Sequence, residues 1–346
     1  MRLQSRLSEI DTMRPIIIVL LILMHSFVIF SPSASTWPLP HGIRNVSAYH
    51  WIQELTYSFL LEAFTFISGY VYAYNFLFKQ KNTFISLVKN KFKRLIVPSI
   101  IFSLLYAPLF YGKDIVFPRF LYDLICGIGH MWYLPMLFAC FILTWVIQRI
   151  NIPELYKLSM LLMLAILSVR LPGLFRINTI CYYLFFFYFG FYMFTLRNKL
   201  RNYTKYLNSF CLWGGYLLIL VSLILMRQNL TVIAGETCGY LSLIVKFSSK
   251  IIVILYSLIG TLTLFMTCLK CSKNHGTINS IQELNNYCMG LYLIHQFILK
   301  YLYYYTDLPK LGTYILPFVG FIITLTFSYF LVKYACKTRL GRFLFQ

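Results

Sequence analysis

MRPIIIVLLILMHSFVIF, residues Met13 to Phe30, is almost wholly apolar, yet it opens on an arginine and carries a histidine well inside. Eighteen residues at about 1.5 Å each make a helix of roughly 27 Å, enough to cross a bilayer core. A titratable imidazole in such a helix is costly and is by default a functional-site hypothesis. Eleven steps of about 100° separate Arg14 from His25, so both share one helix face, roughly 16 Å apart along the axis. The spacing puts Arg14 at the water boundary and His25 in the apolar layer.

The rest of the chain agrees with a membrane setting. Of its 346 residues, 59% are hydrophobic and 12% charged, against about 25% charged in soluble domains. The formal charge of +21 raises nucleic acid as a partner. The basic residues instead lie in short clusters between apolar runs, the pattern of the positive-inside rule, so no nucleic acid is expected. The nine cysteines are scattered and show no disulfide framework. Cys268 and Cys271 make one CxxC with no second ligand pair nearby, so no metal is expected. The first apolar run is too long for a cleavable signal peptide and lacks a small-residue cleavage site.

Beyond 13–30, spans are expected at about 55–78, 95–111, 132–147, 155–169, 179–196, 210–226, 249–267, 289–305 and 313–332. The start of the 249–267 span is ambiguous because Lys246 and Lys250 fall near the interface. A shorter apolar piece, 117–128, reads as re-entrant or interfacial. The fold class is therefore all-α: a polytopic bundle of about ten transmembrane helices, multi-pass, one integral membrane domain over 1–346. Basic residues favour one side by about two to one, including the N-terminal arm, the 79–94 loop, Arg197 to Lys205 and the C-terminal tail. That side is read as cytoplasmic, with both termini on it. The aromatic run Tyr182 to Phe189 reads as lipid-facing and packing surface.

Glu62, on the second expected span, lies at a depth similar to that of His25 on an antiparallel neighbour. A carboxylate bonded to one ring nitrogen would set the tautomer and raise basicity at the other, as a general base for a hydroxyl requires. The same pair could instead simply join two helices. Lys91 and Arg94 are three apart and could clamp phosphates, or only set topology. Ser68-Gly69 permits close backbone approach, to a helix or to a ligand. His130 and Trp132 open the fourth long span, and His295 lies in the ninth. Each alone reads as an interface or packing residue.

Taken in order, these segments resemble acyltransferase family 3, the integral membrane acyltransferases. Arg14-x10-His25 is similar to the family's first-helix signature. Phe66-Ile67-Ser68-Gly69-Tyr70 resembles its Ser-Gly motif, and Lys91-x-x-Arg94-Leu95-Ile96-Val97-Pro98 its basic motif. Gly129-His130-Met131-Trp132-Tyr133-Leu134-Pro135 and Tyr292-Leu293-Ile294-His295 resemble two further elements. The likeness covers essentially the whole chain. Lys91 departs from it, standing where many members have arginine, which keeps a cation but loses the planar fork. The chain resembles a minimal form without a fused periplasmic domain.

The resemblance implies an O-acyltransferase of the cytoplasmic (inner) membrane. It would move an acyl group, usually acetyl, from acetyl-CoA or another acyl-CoA to a hydroxyl of a surface or lipid-linked glycan, modifying a polysaccharide. It implies Arg14 and His25 as catalytic, with Glu62 beside them on the depth argument. Lys91 and Arg94 would contact the CoA phosphates, and Ser68, Gly69, His130, Trp132 and His295 would line the substrate path. The bilayer and a glycan or lipid-linked sugar are the expected partners, with oligomeric state open. A transporter or exporter of a polysaccharide or its lipid-linked precursor is the alternative, using the same buried polar groups.

Overall fold

The computed structural model describes residues 7–31, 37–78, 83–111, 117–236, 239–275 and 279–345. Arg2, Arg6, Lys79 and Lys81, in the N-terminal arm and the 79–94 loop, lie outside these residues. The described residues are helix, turn and loop with no strand. Each stretch expected to span falls on a helix. Five helical stretches are long and apolar enough to cross a membrane: Gly129–Ile147, Leu174–Thr195, Ser209–Leu230, Tyr240–Ser272 and Leu316–Ala335. The first helix, α1 (Ser8–Ser26), carries Glu9, Asp11 and Arg14 in its 19 residues. Its polar opening, not its core, separates it from those five.

The chain divides into two compact units. The first holds residues 1–57, 93–133 and 277–346. It contains α1, the start of α2 (Ser47–Phe78), α4 (Val97–Tyr111) and α5 (Phe117–Cys126). It also contains α12 (Asn279–Tyr304), α13 (Leu316–Ala335) and α14 (Arg339–Phe345). Helices α1, α12 and α13 pack mutually and form its centre. At one end Phe27, Phe30, Trp37, Leu299, Tyr303 and Leu316 are buried together, and the Tyr303 hydroxyl donates to the Ser26 carbonyl at 2.8 Å. At the other, Asn285 Nδ2 donates to Asp11 Oδ1 at 2.7 Å. The α1–α12 pair is thus pinned at both ends. Ser26 and Asp11 stand 15 residues, about 22 Å, apart on α1.

The second unit holds residues 58–92 and 134–276. It takes the rest of α2 with α3 (Phe84–Lys91), α6 (Tyr133–Ile147), α7 (Glu154–Leu167) and α8 (Ile177–Thr195). Then come α9 (Arg197–Tyr203), α10 (Ser209–Glu236) and α11 (Tyr240–His275). Every residue from Tyr182 to Phe191 is buried, so the aromatic run packs protein on all sides and does not face lipid. A helix apolar all round belongs in the middle of its unit. Glycines let α2 and α8 meet: a Cβ on Gly69 would collide with the Phe187 carbonyl, and one on Gly190 with the Phe66 carbonyl. Both obstacles are backbone, which cannot swing aside. Lys157 is 5% exposed and ion-paired with Glu154 at 3.0 Å.

Helices α10 and α11 form an antiparallel pair: Trp213 Nε1 donates to Thr267 Oγ1 at 3.1 Å and Arg227 Nη1 to Tyr256 Oη at 3.0 Å. Both run well past the expected spans of 210–226 and 249–267. Hydropathy marks where a helix meets the apolar layer, while the backbone continues into polar sequence.

Candidate active site

Three histidines meet inside the first unit. His25 occupies the last turn of α1, His295 lies on α12, and His130 lies on the short 3₁₀ turn Gly129–Trp132 that leads into α6. The His25 and His295 ring centroids are 4.9 Å apart, and those of His130 and His295 also 4.9 Å. His295 is completely buried, His130 is 7% exposed, and His25 is half-buried.

The loop carrying His130 is held from several directions. Gly127 has φ +83°, and a Cβ there would strike the Met131 and Trp132 backbone, so only glycine fits this approach. On α4, Ser103 Oγ accepts from Ile128 N at 3.1 Å and Ser99 Oγ donates to the Met131 carbonyl at 3.4 Å. From α12 the Tyr292 hydroxyl donates to the His130 carbonyl, while the Tyr292 carbonyl faces His130 Nε2 at 2.9 Å. Tyr292 therefore clamps both the backbone and the ring of His130.

The partners settle the proton on each ring, because a carbonyl can only accept. His295 Nδ1 faces the Leu291 and Tyr292 carbonyls at 3.0 and 2.8 Å, so Nδ1 is the N–H and Nε2 carries a lone pair. That lone pair faces His25 Nδ1 at 3.3 Å. His25 Nδ1 also addresses the Leu21 carbonyl at 2.9 Å, and is therefore an N–H shared between two acceptors. His25 Nε2 makes no hydrogen bond among the described residues. His130 Nε2–H is committed to Tyr292, and its Nδ1 is buried without a hydrogen-bond partner. The cluster leaves two ring nitrogens, His25 Nε2 and the fully buried His130 Nδ1, without a hydrogen bond among the described residues. Among the described residues no group of three His, Cys, Asp or Glu side chains is arranged to hold a metal ion.

This network replaces the expected tautomer device. The expectation gave Glu62 the task of fixing His25; Leu21 and His295 do it instead. Glu62, in the second unit, accepts a hydrogen bond from the Tyr182 hydroxyl at 2.8 Å. Arg14 lies on α1 in electrostatic range of Asp11, Cys288 and Arg94. Arg94 falls within a π-helical turn, Phe92–Ile96, and is exposed. Such turns often mark functional positions. Lys91 ends α3 in the second unit, with its Nζ 3.8 Å from the centroid of the Phe141 ring. Ser68 donates to the Phe64 carbonyl of its own helix at 3.0 Å, and Gly69 is taken by helix packing, so both serve α2. Trp132 sits half-buried on the His130 turn, its ring 6.0 Å from that of Tyr133.

The sequence model of the acyltransferase domain of family 3 matches residues 7–333, which spans both units. The chain belongs to acyltransferase family 3. No curated protein and no solved structure matches it. Membership makes this helical membrane protein an acyltransferase. Sequence reasoning gave Tyr292 no role of its own. Its signals were its place in the Tyr292-Leu293-Ile294-His295 element and its spacing of three from His295, which puts both on one helix face.

Proposed function

We propose that the protein transfers an acyl group, acetyl in the simplest case, from acyl-CoA to a hydroxyl of a surface or lipid-linked glycan, with His25 as general base. The observation carrying this reading is that His25 Nε2 makes no hydrogen bond among the described residues, opposite an Nδ1 held by Leu21 and His295. An acceptor hydroxyl loses its proton to Nε2 as its oxygen attacks the thioester carbonyl. The C–S bond then breaks, and the thiolate leaves with the proton returned by His25. During the step the imidazolium keeps its Nδ1–H between two acceptors, which stabilises the charge as it forms. His295 acts as a positioning residue, since it touches His25 and orients it.

The donor enters from the basic, cytoplasmic side in this reading. Arg14 and Arg94 supply cations for its phosphates, with Lys91 as a further contact. Arg14 and His25 stand about 16 Å apart along α1, within the reach of an extended pantetheine arm. The acceptor comes from the opposite leaflet, past His130 and Trp132.

The test uses membranes containing the protein, acetyl-CoA labelled in the acetyl group, and extraction of the glycan and lipid fractions. The expected result is label in an ester on the acceptor, with loss of roughly 10²–10⁴-fold in His25→Ala, the usual worth of a general base. Undiminished transfer by that variant overturns the assignment. Glycan translocation unaffected by depletion of acyl-CoA would favour an exporter.

A further inference from the structure

The second unit carries a polar cluster that acyl transfer leaves unexplained. Arg227 on α10 and Lys250 on α11 are both half-buried and lie in electrostatic range of one another, and Lys250 lies in range of Glu62. Each cation is held by a tyrosine. Arg227 Nη1 donates to Tyr256 Oη at 3.0 Å, and Lys250 Nζ lies 3.5 Å from the centroid of the Tyr182 ring. Tyr182 in turn donates to Glu62 Oε1. Glu62 is 6% exposed, with Ser257 beside it. The cluster thus sets two cations against one carboxylate. Arg227 uses one of its five N–H donors, and Lys250 makes no hydrogen bond among the described residues.

Level matters as much as charge. Arg227 stands 18 residues past Ser209, about 27 Å along α10. Lys250 stands 22 residues before Ser272, about 33 Å along α11. Both distances match one bilayer core of about 30 Å, measured from the end of the hairpin where Lys270 Nζ bonds the Leu207 carbonyl. Counted from that end, the two cations share one level, about one bilayer core away, which is where lipid phosphates lie if the apolar layer starts there. Cations that merely snorkel there are free to reorient in headgroup water. These two are instead fixed by Tyr256 and Tyr182 with donors left over, which is the arrangement that receives an anion.

We propose that Arg227 and Lys250 bind the phosphate of a membrane lipid in the leaflet opposite the basic α9 end, with Tyr256 and Tyr182 fixing the cations and Glu62 as their one counter-charge. The ligand class is a phosphodiester or pyrophosphate carried on a lipid tail: bulk anionic phospholipid, or a lipid-linked sugar phosphate. This goes beyond acyl transfer and is read by binding, so it stands or falls independently of the role of His25.

The experiment measures lipid retained by the full chain, by native mass spectrometry from micelles supplied with phosphatidylglycerol or with diacylglycerol, which lacks the phosphate. The expected result is preferential retention of phosphatidylglycerol. Arg227→Gln with Lys250→Gln should cut that preference by roughly tenfold to thirtyfold, the effect of two interfacial cations. The charge-keeping pair Arg227→Lys and Lys250→Arg should retain it. Glu62→Gln should tighten binding, because it removes the only negative charge in the cluster. A network that merely joins helices would not do so. Polyprenyl phosphate outcompeting phosphatidylglycerol identifies the lipid-linked source, and equal competition identifies bulk phospholipid. Displacement by inorganic phosphate shows that the headgroup alone suffices. Equal retention of both lipids by the wild-type protein, or weaker phosphatidylglycerol binding by Glu62→Gln, overturns the proposal.

Discussion

The two units handle polar groups in apolar surroundings in opposite ways. Around His25 each ring is held through one nitrogen by a backbone carbonyl. Around Glu62 the groups are ionisable side chains, and tyrosines hold them. A neutral imidazole in oil costs a hydrogen bond, which a carbonyl supplies. A charge costs several-fold more and needs a counter-charge or a polar ligand. Carbonyl-held rings leave a lone pair free, and so suit proton transfer. Tyrosine-held cations leave N–H donors free, and so suit anion binding.

The largest expected effect breaks the first half of that contrast. His25→Ala removes the proposed base and should lower transfer by roughly 10²–10⁴-fold, measured as label incorporated per unit of inserted protein. Next in size is Gly69→Ala, aimed at the helix contact on which the second unit is built. Its Cβ meets the Phe187 carbonyl, so α2 and α8 must part, at a cost of about 1–3 kcal/mol. The apparent melting temperature in detergent should fall, and an unchanged value would mean that the helices do not approach so closely.

His295→Ala sharpens the contrast, since it spares the base and removes its orienting acceptor. About tenfold should be lost from kcat, or about 1.4 kcal/mol, with KM little changed. His295→Asn, which keeps an acceptor, should recover part of the loss. Equal effects on kcat and KM, without recovery, would make His295 a packing residue only.

The smallest effect lies outside the apolar layer. Hydrogen bonds from Lys333 at 2.7 Å and from Tyr329 hold Glu283 below the usual carboxylate range. A carboxylate with a depressed folded-state value contributes stability that is present above its unfolded value, near about 4.3, and is lost as pH falls through the folded value. The pair is exposed, so Glu283→Gln should lower the melting temperature slightly at pH 7 and not at all at the acid end of that window. A shift as large as that of Gly69→Ala would show the pair to be more than a surface contact.

Much of this was legible in the sequence, and what was not has a common cause. The helical class follows from apolar runs interrupted by basic clusters. The Arg14–His25 face follows from helical spacing alone. His130 and His295 looked bland because each depends on a partner far along the chain: His295 meets His25 across 270 residues, and His130 meets Tyr292 across 162. Glu62 was legible as a buried carboxylate, but its partner Tyr182 lies 120 residues away, within an aromatic run whose composition says nothing of which ring reaches inward. Gly69 offered two meanings, a close helix or a close ligand, and only the position of Phe187 separates them. Periodicity reports one helix face at a time; which faces meet is a property of the packed chain.

The account turns on which nitrogen of His25 carries the proton. Nitrogen-15 spectroscopy of histidine-labelled protein, with the His25 signal assigned by its loss in His25→Ala, reads this directly. The account predicts, at neutral pH, a protonated Nδ1 and an unprotonated Nε2. A protonated Nε2, whether in the other neutral tautomer or in an imidazolium, would leave no base facing the substrates and would contradict it.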